Sequence, residues 1–199
     1  MTEVLTLHSA WDVDRHIVLD SAEKLVLIRF SSYTSFAEEV EDHLNQESGR
    51  TASYTASRHR KRGRDDDTSA NATQAASLLL NNVDEHYLQT RQMDALLQEI
   101  APKVRKYCTI FYVDTREVTA FNELYELGHD RDPFAVMFFY RNRHIRVDVG
   151  TGNNNKVNFF AFEDIYDFLP IVDAAYKAGK QGRSITSCDK KFSTVALRR

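Results

Sequence analysis

Cysteine is almost missing from this chain. Cys108 and Cys188 are the only two, far apart and in no Cys-x-x-Cys pair. A disulfide framework is excluded, and an intracellular, reducing compartment is the expected setting. Long apolar runs are missing too: no stretch approaches the roughly 18 residues of a membrane span. The start, Met1-Thr-Glu-Val-Leu-Thr-Leu-His8, lacks the basic opening and apolar core of a signal peptide, so no secretory segment is expected. Nor does one sign of charge dominate, since 26 Lys and Arg face 29 Asp and Glu for a formal net charge of −3. Bulk electrostatics therefore do not make a polyanion binder, and any nucleic-acid contact has to be local or made within a larger assembly. The 42% hydrophobic content suits one globular core, and a single domain over residues 1–199 is expected.

Glycine is scarce, with seven in all, yet two stand in the least ordinary string of the chain, Gly150-Thr-Gly-Asn-Asn-Asn-Lys156. Glycine adopts φ > 0 without a Cβ penalty and asparagine is the next most tolerant residue, so this string predicts a specified loop that displays amides and carboxamides outward. A phosphate loop is excluded by spacing. A Walker loop needs four residues between its glycines and then Lys-Ser/Thr, whereas Val157 and Asn158 follow Lys156. A dinucleotide loop needs a third glycine where Asn155 stands. Asn does not titrate and Lys156 alone makes no catalytic pair, so the loop reads as recognition chemistry rather than acid–base chemistry.

Periodicity predicts helices over Trp11–Leu19, Met93–Val104, Ala120–Leu127 and near Phe162–Lys177. Strands are predicted at Leu25–Phe30 and Thr109–Val113, with a hairpin of Ala135–Tyr140 and His144–Val149. The order αβ–αβα–ββα implies a mixed sheet flanked by helices. Residues 45–82 are poor in large apolar side chains and carry Arg58-His-Arg-Lys-Arg-Gly-Arg64 beside Asp65-Asp66-Asp67. They read as a low-complexity, mostly disordered insertion. Its basic run is either a self-neutralised solvated loop or a nuclear-import or phosphate-contacting patch. The tail is basic, with seven Lys/Arg against one Asp from Tyr176 to Arg199; residues 179–199 are expected to be flexible.

The strings His8–Asp14, Leu25–Phe30, Tyr112–Val118, Phe121–Leu127, Val136–His144 and Gly150–Asn158, in that order, resemble the DIM family of thioredoxin-like pre-mRNA splicing proteins. The resemblance spans residues 8–36 and 87–195, and the Gly-Asn string favours the branch found in the U5 small nuclear ribonucleoprotein over its paralogue. It implies a thioredoxin-like α/β fold and a nuclear location. It implies as partners the U5 scaffold and other tri-snRNP proteins, with small nuclear RNA or the 5′ splice site close by. No membrane, cofactor, metal or small-molecule substrate is expected.

The residues agree with a non-redox role. A working thioredoxin places Cys-x-x-Cys after its first core strand, because the attacking thiol must ionise at a helix N-terminus. Here Ser31-Ser-Tyr-Thr-Ser-Phe36 follows instead. The resemblance implies a cysteine near this point, and Ala37 or Thr90 takes its place depending on where the insertion begins. Asp132-Pro-Phe-Ala135 stands where a cis-proline would precede the hairpin, and the resemblance implies that Phe134, in a position usually cysteine, faces the site.

The expected contact surface joins Gly150, Thr151, Gly152, Asn153, Asn154, Asn155 and Lys156 with Pro133, Phe134, Tyr33 and Ser35. Arg141 and Arg143, with Arg146, form an expected basic strip on the hairpin, either merely solvated or facing phosphate or an acidic partner. Trp11 is read as core packing and Cys108 as a buried small hydrophobe. Asp114 is read as a turn residue and His144 as a hairpin residue with no metal partner. The protein is thus expected to be an adaptor rather than an enzyme. The alternatives, a thiol–disulfide oxidoreductase or a nucleotide-binding protein, lack their motifs.

Overall fold

The computed structural model describes residues 4–33, 68–127 and 132–192, with side chains from residue 85 onward in the second of these segments. The elements are β1 (Leu5–Leu7), α1 (Ala10–Leu19), β2 (Leu25–Ser31), α2 (Thr68–Val104), β3 (Cys108–Asp114), β4 (Ala135–Tyr140), β5 (Arg143–Asp148), α3 (Ile165–Lys180) and β6 (Ile185–Ser187). They form one six-stranded sheet of order β1-β3-β2-β4-β5-β6. β1 and β2 run parallel to β3, whereas β4 is antiparallel to β2 and to β5. This is the thioredoxin-like topology, with β2 and β3 at its centre.

Strand alternation sends odd and even residues to opposite faces and divides the core in two. One face carries Leu25, Leu27, Ile110, Tyr112, Val136, Phe138, Ile145 and Val147 against α2 and α3. The predicted heptad-like positions Met93, Leu96, Leu97 and Ile100 are all buried there. The other face carries Val26, Ile28, Phe30, Phe111, Val113, Met137 and Phe139 under Val13 and Ile17 of α1. Cys108 lies inside the first cluster, where burial pushes its thiol pKa well up, as expected of a small hydrophobe.

Five expectations need correction. The third predicted helix, Ala120–Leu127, is only a 3-10 turn at Thr119–Phe121 followed by hydrogen-bonded turns. Eight residues are too few to hold a helix by propensity. The Asn122 amide leaves the local ladder to donate to the Thr115 carbonyl at 2.9 Å, and Glu126 closes the turn at φ 52°. Helix α2 begins at Thr68, so the C-terminal part of the 45–82 segment is helical backbone; residues 45–67 lie outside the described residues. Its Ala, Gln and Leu are strong helix formers and no Gly or Pro interrupts it before Pro102, whereas low hydrophobicity alone had suggested disorder.

The tail, thirdly, is not free up to Phe192. β6 pairs in parallel with β5, and Cys188 and Phe192 are buried. Fourthly, Trp11 is 67% exposed with Arg15 over its ring at 5.4 Å, because Val13 and Ile17 take the buried stripe of α1. Finally, Arg143 and Arg146 form no strip with Arg141. An odd spacing along β5 sends the first two to opposite faces, and Arg141 occupies the hairpin turn.

That turn has two residues, Arg141 at φ 50° and Asn142 at φ 57°, the left-handed pair that matches strand twist. Ser21, fully buried, holds the turn: its carbonyl accepts from Arg141 N–H at 2.6 Å and its Oγ from Asn142 N–H at 2.7 Å.

Candidate partner-binding site

The C-terminal end of β2, the chain entering β4 and the loop after β5 meet at one end of the sheet. Ser31 Oγ donates to the Pro133 carbonyl at 2.8 Å, and Thr90 Oγ1 of α2 lies 2.8 Å from the same oxygen. Thr90 is fully buried, 3.4 Å from Ser31 Oγ. Between the two residues weighed for the vacated thiol position, the geometry selects Thr90; Ala37 lies outside the described residues. No peptide bond among the described residues is cis, so the chain enters β4 through a trans Asp132–Pro133 bond.

The loop after β5 closes on the same place. Val157 exchanges two backbone hydrogen bonds with Val136, at 2.8 and 2.9 Å. Lys156 is buried at 8% exposure, its ammonium 3.0 Å from Asp132 Oδ2 and donating to the Glu126 carbonyl at 2.7 Å. Asn158 Nδ2 donates to Asp132 Oδ1 at 2.7 Å. The crevice left among Ser31, Ser32, Thr115, Asp132 and Lys156 holds about 20 Å³, room for about one water.

The three loops therefore converge as expected, but the expected membership of the surface is corrected. Phe134 is 2% exposed and packs in the core with Val136 and Phe138. Pro133 is buried. Tyr33 is 6% exposed, its hydroxyl 3.2 Å from His86 Nδ1. Lys156 is a clamp rather than a displayed cation, because an ammonium inside a dry crevice requires its carboxylate. Arg141 and Arg143 stand at the opposite end of the hairpin, about 20 Å away at roughly 3.3 Å per strand residue. Ser35 lies outside the described residues.

What remains accessible is the Gly-Asn loop. Gly150 and Gly152 adopt φ 85° and 83°, as their identity predicts. Asn153 Oδ1 accepts the Asn155 N–H at 3.1 Å, an Asx turn, and the Asn154 carbonyl accepts Val147 N–H at 3.1 Å. These bonds fix the backbone and leave the Asn154 and Asn155 side chains exposed. At Gly150 a Cβ would come within 3.0 Å of Lys191 Cβ, so the docked tail rests on the start of the loop. Lys191 in turn bonds Asp148 at 2.7 Å, holding that carboxyl below its usual range.

Sequence reasoning missed one feature beneath the site. Arg29 of β2 is fully buried and pairs bidentately with Asp94 of α2, Nε–Oδ1 at 2.8 Å and Nη2–Oδ2 at 2.9 Å. Its guanidinium carbon lies 4.3 Å from the centre of the Tyr112 ring. An arginine within an otherwise apolar strand was the available signal.

The sequence of this fold and loop has relatives. The family model of mitosis protein DIM1 matches residues 58–192. The chain belongs to the DIM1 family. It is 34% identical over 188 residues to mitosis protein dim1 of Schizosaccharomyces pombe, covering 94% of this chain and 92% of that one. It is 32% identical over 179 residues to spliceosomal protein DIB1 of Eremothecium gossypii, covering 90% and 85%. A thioredoxin-like protein 4A homolog of Dictyostelium discoideum is 41% identical over 102 residues, 51% of this chain and 61% of that one. The resemblance read from the loop and strand motifs thus holds across the DIM1 family match. The same match supports reading Thr90 and Phe134 as departures within a thioredoxin-like frame.

Proposed function

We propose that this DIM1-family chain is a non-catalytic thioredoxin-fold adaptor of the spliceosome, working in pre-mRNA splicing by protein binding in the nucleus. Relatives named spliceosomal protein DIB1 support the assembly. Within it, the U5 small nuclear ribonucleoprotein scaffold and other tri-snRNP proteins are the proposed partners, with small nuclear RNA or the 5′ splice site near the bound chain.

The observation that carries the non-catalytic reading is the closed former thiol site. Ser31, Thr90 and the Pro133 carbonyl bond one another where sulfur chemistry would take place, above a space for one water. Thiol exchange needs an accessible thiolate. Cys108 and Cys188 are both buried, and neither lies in this site. Fixed backbone with exposed carboxamides at Asn154 and Asn155 fits recognition instead.

Replacing Asn153, Asn154 and Asn155 together by alanine tests the reading. The variant is expected to keep its fold, with stability within about 0.5 kcal/mol per exposed site. It is expected to lose most co-purification with spliceosomal proteins. Undiminished co-purification contradicts the loop's role, and insulin reduction by the wild-type chain contradicts the non-catalytic reading.

A further inference from the structure

Beside the closed site lies a second, open crevice of about 240 Å³ between the Leu124–Glu126 turn and the Gly-Asn loop. We propose that it is an anchor pocket for one aromatic side chain of an extended partner peptide; the proposal rests on the adaptor reading and names what the loop holds. The volume falls below the roughly 300–1,000 Å³ of sites that enclose cofactor-sized molecules, and suits a single large side chain.

The walls are apolar or aromatic. Leu124 is 68% exposed, and Met137, Tyr125 and His144 line the interior. The His144 and Tyr125 ring centres stand 6.3 Å apart, and burial lowers the His144 pKa, so the imidazole presents an uncharged face at neutral pH. A thioether and two rings make the lining that aromatic side chains pack against best. The rim is polar in a way that suits a peptide. Asn153 Oδ1 is used by the Asn155 N–H, and the Asn155 carboxamide keeps both a donor and an acceptor available for backbone amides.

Local charge selects peptide over nucleic acid. Phosphate contacts need cations free to pair. The only cation lining the crevice is Lys156, whose ammonium is committed to Asp132 and to the Glu126 carbonyl. The Glu126 residue itself is exposed at the rim and would repel phosphate. Arg141 and Arg143 are at the far end of the hairpin.

The test is a ¹⁵N-labelled NMR titration of the full chain with three probes: N-acetyl-phenylalanine methylamide, N-acetyl-lysine methylamide and a uridine hexanucleotide. The phenylalanine probe is expected to shift Leu124–Glu126, His144 and Asn153–Lys156 in a saturable way, and the lysine probe to leave them in place. Leu124→Glu, on an exposed side chain, is expected to weaken that binding about tenfold while the remaining spectrum is unchanged. Asn155→Ala weakens it less. Absence of local shifts with the phenylalanine probe overturns the pocket, as does equal binding by Leu124→Glu. Saturable shifts at the same residues by the oligonucleotide alone overturn the peptide assignment. The adaptor reading is judged separately, by co-purification, so failure of the pocket leaves it standing.

Discussion

Arg29 and Asp94 show how far single residues could be read from the sequence. Arg29 sits inside Leu-Val-Leu-Ile-Arg-Phe, where pattern alone assigns a buried strand and leaves a charge unexplained. Its partner lies 65 positions away, beyond the long segment between β2 and the core part of α2, so no local spacing signals the pair. Lys156 was misread for the same reason: a lysine beside three asparagines looks displayed until Asp132 is brought to 3.0 Å. The glycines were legible, because their φ values follow from a backbone rule rather than from contacts. Breaking a buried pair strands an uncompensated charge at a cost of about 3–5 kcal/mol, whereas replacing both partners by apolar residues is near neutral. Asp94→Leu is therefore expected to lower the urea midpoint by that amount, and Arg29→Met with Asp94→Leu to recover most of it. A loss under about 1 kcal/mol for Asp94→Leu would show that the pair is not desolvated.

At the scale of elements, strands and hairpin were legible within a residue or two, since apolar runs bounded by turn residues mark them. The turn after β3 and the docked tail were not. Helical periodicity over Phe121–Leu127 was overridden by the Asn122 contact with Thr115, and the basic composition of the tail hid the fit of Cys188 and Phe192 against β5 and α3.

Two predictions belong to this scale. Gly179 of α3 would place a Cβ 2.6 Å from the Tyr140 ring, so Gly179→Ala forces helix and sheet apart. It is expected to destabilise by about 1–3 kcal/mol in spite of alanine's better helix propensity; unchanged or higher thermal stability would contradict the close approach. The tail is strapped by Lys191 to Asp148 and by Lys190 to Asp167, and both carboxyls titrate below their usual range because of these lysines. A carboxyl with a lowered folded pKa stabilises above its unfolded value, near 3.9, and that contribution is lost as pH falls through the folded value. Protection of the Cys188 and Phe192 amides, which bond the Asp148 and Val149 carbonyls at 3.0 and 2.7 Å, should hold from pH 7 to about 5 and fall in acid below about 4. Native-state hydrogen exchange measures it, and protection that is lost between pH 7 and 5 contradicts the strap.

For the whole molecule, the sheet order keeps the thioredoxin-like frame while its chemistry has moved outward. The end of β2, the chain entering β4 and the loop after β5 still meet, but hydroxyls, a carbonyl and an ion pair close the place where they meet. The accessible chemistry is the Asn154 and Asn155 rim with the crevice beside Leu124. The most direct test of the adaptor account is affinity purification of the tagged full chain from nuclear extract, with identification of the bound RNA and protein. The account predicts enrichment of U5 small nuclear RNA together with the U5 scaffold and tri-snRNP proteins. Recovery of the chain without any spliceosomal RNA or protein would contradict it.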